Sequence, residues 1–486
     1  MTRKALLSAV APISIVLASL SQGACAVGPR APDARLPLEA SGAFISQNAD
    51  AMLSAPARDD WWRLYSDPAL DTLVQQALTE NNDVEAAAAN LRQVRAVLSE
   101  TRTARLPTTQ TSASYQRGRA SRASTQVEGL PDDQTLPEYD SYDVGLDVSY
   151  EIDLFGRVSS SIRAARADAD AAAAALEIVR VSVAGETARA YADTCSANAQ
   201  IAVAQRTIEL QSNTVDLTQR LLDAGSGNGL DVARARSALE SSRAALPSLL
   251  AQREAAVFRL ATLTGQTPQS VSASARACTT PPRLMQPIPV GDGAQLLARR
   301  PDVRQAERQL AAAAARVNVA TASLYPSISL GGSLGSTASD GGGLGDSQNF
   351  RFGFGPLISW TFPNIFAARA RIEQAGAGTD LALANFDQTV LEALEETETA
   401  LSAYANELDR NAALRAARDQ AATAARLSRL RFDAGADSFL TVLDAERTLA
   451  AADATLATSD GLVVSYQVTV FKALAGGWTG DNAPLA

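Results

Sequence analysis

The run Gly331-Gly-Ser-Leu-Gly335 fits Gly-x-Ser-x-Gly, the spacing that lifts a nucleophilic serine out of a sharp strand-to-helix turn. That chemistry needs a base to take the hydroxyl proton, and the 486 residues contain no histidine. Ser333 also sits in an alternating stretch, where it reads as one polar position of a strand. The glycines at 341–343 lack the Lys-Ser/Thr that follows a phosphate-binding loop. With no histidine and only Met1, Met52 and Met285 as thioethers, no metal-ligand cluster is legible. The reading is therefore of a chain that is not an enzyme, with no catalytic residue, metal or cofactor.

Three residues could act on ions without catalysis. Leu440, Asp444 and Arg447 follow one another at spacings of four and three, which places them on one helix face. A solvated pair of Asp444 and Arg447 is the plain reading. Repeated around a symmetry axis, the same residues would form an apolar and an acidic girdle narrowing a pore. Of three cysteines, Cys25 follows an apolar leader, whereas Cys195 and Cys278 are an even remainder able to pair in an oxidising compartment.

The elements that position these residues are repeated. Phe432-Asp-Ala-Gly435 and Leu222-Asp-Ala-Gly225 stand 210 positions apart, and Leu440, Val442, Ala445 and Leu449 match Leu230, Val232, Ala235 and Leu239. A helical run, a glycine, a few polar residues and a new helical run spell a helical hairpin turn. From Gly156 to Ala224 only Gly185 interrupts the helical reading, a run of about 100 Å at 1.5 Å per residue. A matching run reaches Ala434, with Gly376 and Gly378 as points where it could bend. Nearer the amino terminus, one helix is expected from Ser66-Asp-Pro68 through the Ala-rich stretch to Leu106-Pro107.

Between the helices the period falls to two. Tyr142, Val144, Leu146, Val148, Tyr150, Ile152 and Leu154 alternate with Asp143, Gly145, Asp147, Ser149, Glu151 and Asp153. Phe350, Phe352, Phe354, Ile358, Trp360 and Phe362 share a parity in the second half. Four strands result, over about 108–117, 141–154, 327–336 and 349–362. One apolar and one polar face suits a transmembrane β-barrel, and four strands fall short of the about eight of the smallest barrels, so copies must associate. An amphipathic sheet on a soluble core is the competing reading. Arg3 and Lys4 before the apolar Ala5–Leu20 form a secretory leader ahead of Cys25. No later stretch reaches about 18 apolar residues. The net charge of −10 argues against a nucleic-acid partner.

Cys25-Ala-Val-Gly-Pro29, Trp61-Trp, Asp67-Pro68, Asp153-Leu-Phe-Gly-Arg157, Arg299-Arg-Pro-Asp-Val-Arg-Gln-Ala-Glu307, Leu324-Tyr-Pro326 and the two Asp-Ala-Gly turns resemble the TolC-like outer-membrane efflux proteins, nearest the NodT-type lipoproteins. The resemblance spans the mature chain. It implies a mixed α/β membrane protein, internally duplicated, whose long α-helical hairpins form a periplasmic α-barrel and whose four strands enter a transmembrane β-barrel. It implies a homotrimer in outer-membrane lipid that works with a periplasmic adaptor and an inner-membrane pump of the resistance-nodulation-division type. By the same resemblance the periplasmic constriction falls on Leu440 and Asp444, with Arg447 beside them, the adaptor-contacting tips on Ala224-Gly225 and Ala434-Gly435, and lipidation on Cys25. Thr441 stands where some relatives carry a second acid, and Gln22 where lipoprotein signals carry an aliphatic residue.

The expected organisation is a signal peptide at 1–24, an extended segment at 25–60, repeats at 61–264 and 291–475, an irregular connection at 265–290 and a tail at 476–486. The function expected is passive conduction of small molecules handed over by the pump. A duct for type I protein secretion, an open diffusion porin and a structural periplasmic helical protein are the alternatives.

Overall fold

In a computed structural model, the residues described are 28–29, 32, 38–46, 51–121, 136–362 and 365–475. Cys25, the leader and the tail from 476 lie outside them. The order is β1 (Met52–Leu53), α1 (Pro68–Glu80), α2 (Asn82–Thr103), β2 (Thr108–Arg119), β3 (Glu138–Ile152), α3 (Arg157–Asp223) and α4 (Gly229–Leu263). There follow α5 (Ala273–Arg276), β4 (Ile288–Pro289), α6 (Gly293–Arg299), α7 (Pro301–Ala322), β5 (Ser327–Ala338), β6 (Phe350–Ser359), α8 (Ile365–Asp433) and α9 (Phe439–Ala473). The duplication is visible residue by residue: α3 and α8 end 210 positions apart, as do the ends of α4 and α9.

Several boundaries differ from expectation for local reasons. The single helix expected from Pro68 is two, because the Asn81 side chain accepts from the amides of Asp83 and Val84 and starts a new helix. Its own amide group donates to the Leu263 carbonyl at 3.0 Å, which ties the break to the end of α4. The strand expected at 141–154 begins three residues earlier and stops at Ile152, where Asp153 turns to cap α3 through the amides of Val158 and Ser159. The strand expected at 349–362 ends at Ser359. Gly376 and Gly378 do not interrupt α8; neither has a neighbour within 4 Å of where its Cβ would stand. The connection at 265–290 holds α5 and β4, and β4 pairs in parallel with β1 of the amino-terminal segment.

The chain folds as two contact units that cut across the repeats. One gathers residues 92–170 and 308–384, so both strand hairpins belong to it. Its sheet runs β2-β3-β5-β6, antiparallel throughout, and among the described residues the outer edges of β2 and β6 have no partner strand. Tyr142, Val144, Leu146 and Ile152 of β3 share a face with Leu330 and Leu334 of β5 and with Phe350, Phe352, Phe354 and Ile358 of β6. That face is bare: Phe352 and Phe354 are more than three-quarters exposed. An apolar face of this extent on a protein surface marks an interaction with membrane or protein.

The second unit gathers residues 34–91, 171–307 and 385–486. Its core is aromatic where the helices are alanine-rich: Trp61 stacks on Phe471 at 4.8 Å, with Tyr65 edge-on to the same ring. Tyr65 donates to Gln467, whose amide donates to Tyr404, so buried polar groups close on each other. Asp67 caps α1 through the amides of Ala69 and Leu70 and also accepts from the Tyr191 hydroxyl at 2.9 Å. Burial and that carboxylate both push the Tyr191 phenol up. Arg300 is buried; it bonds Asp302 and Glu396 at 2.7 Å each and the Ala473 carbonyl at the end of α9, also at 2.7 Å. Truncation strands these partners, so Arg300→Ala is expected to cost about 2–3 kcal/mol, below the usual 3–5 because Glu396 is half-exposed. A melting temperature within a degree or so of the wild type would contradict that role.

Candidate functional site: two helical turns and the cleft beside them

Both helical turns are built alike. At the first, the Gly225 amide donates to Leu222 and the Ser226 amide to Leu221; at the second, Gly435 donates to Phe432 and Ala436 to Arg431. Satisfying the last carbonyls of a helix this way requires a left-handed residue, and Gly225 and Gly435 take φ of 75° and 71°. Ala224, Gly225, Ala434 and Gly435 are all exposed, with open space where either glycine's Cβ would project. The turns thus present backbone and small side chains.

Around this shared scaffold the copies diverge. Arg431 and Asp437 clasp the second turn through two hydrogen bonds, 2.7 and 3.0 Å. The aligned positions of the first turn are Leu221 and Gly227, with no such pair. Arg431 holds the Asp437 carboxyl below the usual carboxylate range. The clasp is therefore intact above the ordinary carboxylate pKa and is lost only as pH falls through the lowered value. Conversely, Asn228 caps α4 through the Asp231 amide, whereas Ser438 makes no such bond for α9. Phe439 and Leu443 pack with Ala235 between the two hairpins, and Phe432 meets Phe439 edge-on at 5.8 Å. Behind them Glu446 accepts from Thr214 at 3.0 Å and faces Arg429 at 3.6 Å. This packing joins the two turns of one chain into a single body.

Beside that body lies a cleft of about 410 Å³ lined by Leu440, Asp444 and Arg447 of α9 and by Arg234, Gln211 and Ser241 from the first hairpin. The three residues on one predicted helix face are brought together. So is Arg234, the counterpart of Asp444 in the first repeat. Leu440 is half-exposed, Asp444 and Arg447 are exposed, and among the described residues none of Arg234, Asp444 and Arg447 forms an ion pair with another of the three. One carboxylate and two guanidiniums make the cleft mixed in charge. Leu230, the counterpart of Leu440, is exposed but does not line it. The Arg431–Asp437 clasp and the Thr214–Glu446–Arg429 link were not anticipated. The first has a sequence signal, opposite charges six apart across a glycine turn; the second joins residues 232 and 17 positions apart and has none.

Cys195 and Cys278 are joined by a disulfide, Sγ to Sγ 2.08 Å, between the middle of α3 and the connection after α5. Asn198, a turn further along α3, donates to the carbonyls of Arg276 and Cys278, at 2.8 and 2.7 Å. The connection is thus pinned by a covalent bond and two hydrogen bonds. Cys278→Ser should make 265–290 the first segment cut by trypsin under native conditions, with a loss of about 4–5 kcal/mol for a sequence separation of 83. An unchanged digestion pattern would mean that the hydrogen bonds suffice. Among the described residues no cluster of His, Cys, Asp and Glu could hold a metal, and no helix is long and apolar enough to cross a membrane.

The family described as outer membrane efflux protein matches residues 73–266 and 293–476, one match for each repeat. The pyoverdine export outer membrane protein OpmQ of Pseudomonas putida is 32% identical over 427 residues, 87% of this chain and 89% of that protein. Nodulation protein T of Rhizobium leguminosarum bv. trifolii is 29% identical, covering 90% and 91% of the two chains. The solved structure of the outer-membrane channel OprN superposes with a TM-score of 0.86 at 36% identity, over 93% of this chain and all of that one. The chain belongs to the outer membrane efflux protein family. Its fold is that of the outer-membrane efflux channels, long helical hairpins with a strand contribution to a β-barrel.

Proposed function

We propose that this chain is the outer-membrane exit duct of a tripartite efflux system, carrying small molecules passively from an inner-membrane pump and its periplasmic adaptor to the outside. The observation that supports it most is the four-stranded sheet. One face is apolar and exposed, the other is polar, and both edges are unpaired among the described residues. Unpaired edges call for further strands. Three copies complete a twelve-stranded barrel whose apolar face meets lipid, and a barrel leaves no edge exposed in the bilayer.

In this reading Leu440 and Asp444, with Arg447, line the periplasmic constriction, and the exposed turns at Ala224-Gly225 and Ala434-Gly435 receive the adaptor. The pump is of the resistance-nodulation-division type, and it selects the cargo. Residues 1–24 direct secretion and Cys25 receives the lipid, which the intact mass of the mature amino terminus tests. The two repeats are the structural units of the wall, joined through 265–290.

The test is dye accumulation in cells lacking their own exit duct. Co-expression of this chain with an inner-membrane pump and a periplasmic adaptor of a tripartite system should lower the intracellular dye, and expression without them should leave it unchanged. Dye entering faster without the partners would indicate an open porin. An effect on secreted protein alone would indicate type I secretion.

A further inference from the structure

We propose that Asp147 gives the barrel wall a preference for cations over anions, an inference that rests on the duct reading above. Every other carboxylate on the sheet is accounted for. On the face opposite the apolar one, β3 presents Asp143, Asp147 and Glu151, in register with Ser114 and Thr337, with Gln110 and Ser333, and with Ser329. Glu151 pairs with Arg157 at the start of α3, and Asp153 caps that helix. Glu138 and Asp140 lie on the other face, where Glu138 binds Arg117 and Arg119 and Asp140 accepts from Tyr115.

Asp143 is neutralised by a side chain that reaches it from two strands away. Arg351 of β6 lies across Gly335 of β5 and donates to the Asp143 Oδ2 at 2.6 Å, while the Thr337 hydroxyl donates to the same oxygen at 2.7 Å. Glycine at 335 makes this possible: a Cβ there would stand 3.1 Å from the Arg351 Cζ. The guanidinium is thereby held by Thr337 and Asp143, with its charge spent on Asp143. Asp147 has no such partner. It stands between Gln110 and Ser333, exposed, with no hydrogen bond or ion pair of its side chain among the described residues. Small side chains surround it, Gly331, Gly353 and Gly355 among them, so nothing shields the charge from the lumen. In a trimer three such carboxylates face the same water, and rings of carboxylates favour cations.

The test is the reversal potential of the purified full-length protein in planar bilayers under a KCl gradient, at low salt so that the charge reaches across the lumen. Asp147→Asn should lower the cation-to-anion permeability ratio by about twofold or more. Arg351→Gln leaves Asp143 uncompensated and should raise it. Both are measured in the wild-type chain and together with Leu440→Ala and Asp444→Ala, so that the constriction does not mask the barrel. A ratio unchanged by Asp147→Asn, or moved the same way by both variants, overturns the inference while leaving the duct intact. A wild-type protein that conducts no ions overturns the duct reading and this inference with it. Trimer mass, measured for each variant, separates a change in charge from a change in assembly.

Discussion

Replacing Leu440 and Asp444 together by alanine is expected to raise single-channel conductance about threefold or more in planar bilayers. Leu440 leaves about half of its surface in water although it is one of the chain's large apolar side chains, and it is set on the helix that follows the second turn. Asp444 follows one helical turn later and lines the same cleft. Neither is needed to hold the chain together: Phe439 and Leu443, on the neighbouring positions, do the packing, and the pair Arg431–Asp437 holds the turn. Truncating them should therefore widen the passage with little loss of stability. Asp444→Ala alone should give a smaller rise, because Leu440 remains to exclude water. Unchanged conductance in the double variant would remove these residues from the constriction.

The second large effect is expected at Gly435. Glutamate there should abolish export while trimers still assemble. The residue has a φ of 71°, so any side chain adds strain of about 1–2 kcal/mol, but no atom stands within 4 Å of the new Cβ. Gly435→Ala carries the same strain without the charge or the reach, and it should retain most of the export. Loss of export in both variants would point to the turn's backbone rather than to a docking surface. Resistance surviving in Gly435→Glu would mean that the adaptor sits elsewhere.

The duplication was legible because two physical requirements repeat in both halves: glycine at the end of a long helix, and alternation in the strands. Gly225 and Gly435 close their helices as the spacing predicts, and the helix ends agree to the residue. What escaped the sequence is what depends on side chains reaching across space. The break at Asn81 is invisible to periodicity, since the apolar spacing of Leu70, Leu73, Val74 and Ala77 continues smoothly into Val84 and Leu91. It follows from a polar side chain that caps one helix and bonds the end of another. The strand ends are blurred because Leu154, Trp360 and Phe362 keep the apolar parity beyond the last ladder pair.

The cleft was half legible. Leu440, Asp444 and Arg447 share a face by spacing alone, whereas Arg234 joins them only because the two hairpins pack through Ala235, Phe439 and Leu443. At the offset of 210 between the two copies, Arg234 stands opposite Asp444. The structure makes that exchange meaningful, since it puts both signs of charge on one cleft.

That three copies of this sheet close into a conducting wall is tested most directly by one sample, the detergent-purified full-length protein. Its native mass and its single-channel trace are recorded together. A complex of three chains is expected, conducting in steps of one size, small in the wild type and larger when Leu440 and Asp444 are alanine. A monomer or a dimer, or a three-chain complex that never conducts, would contradict that closure.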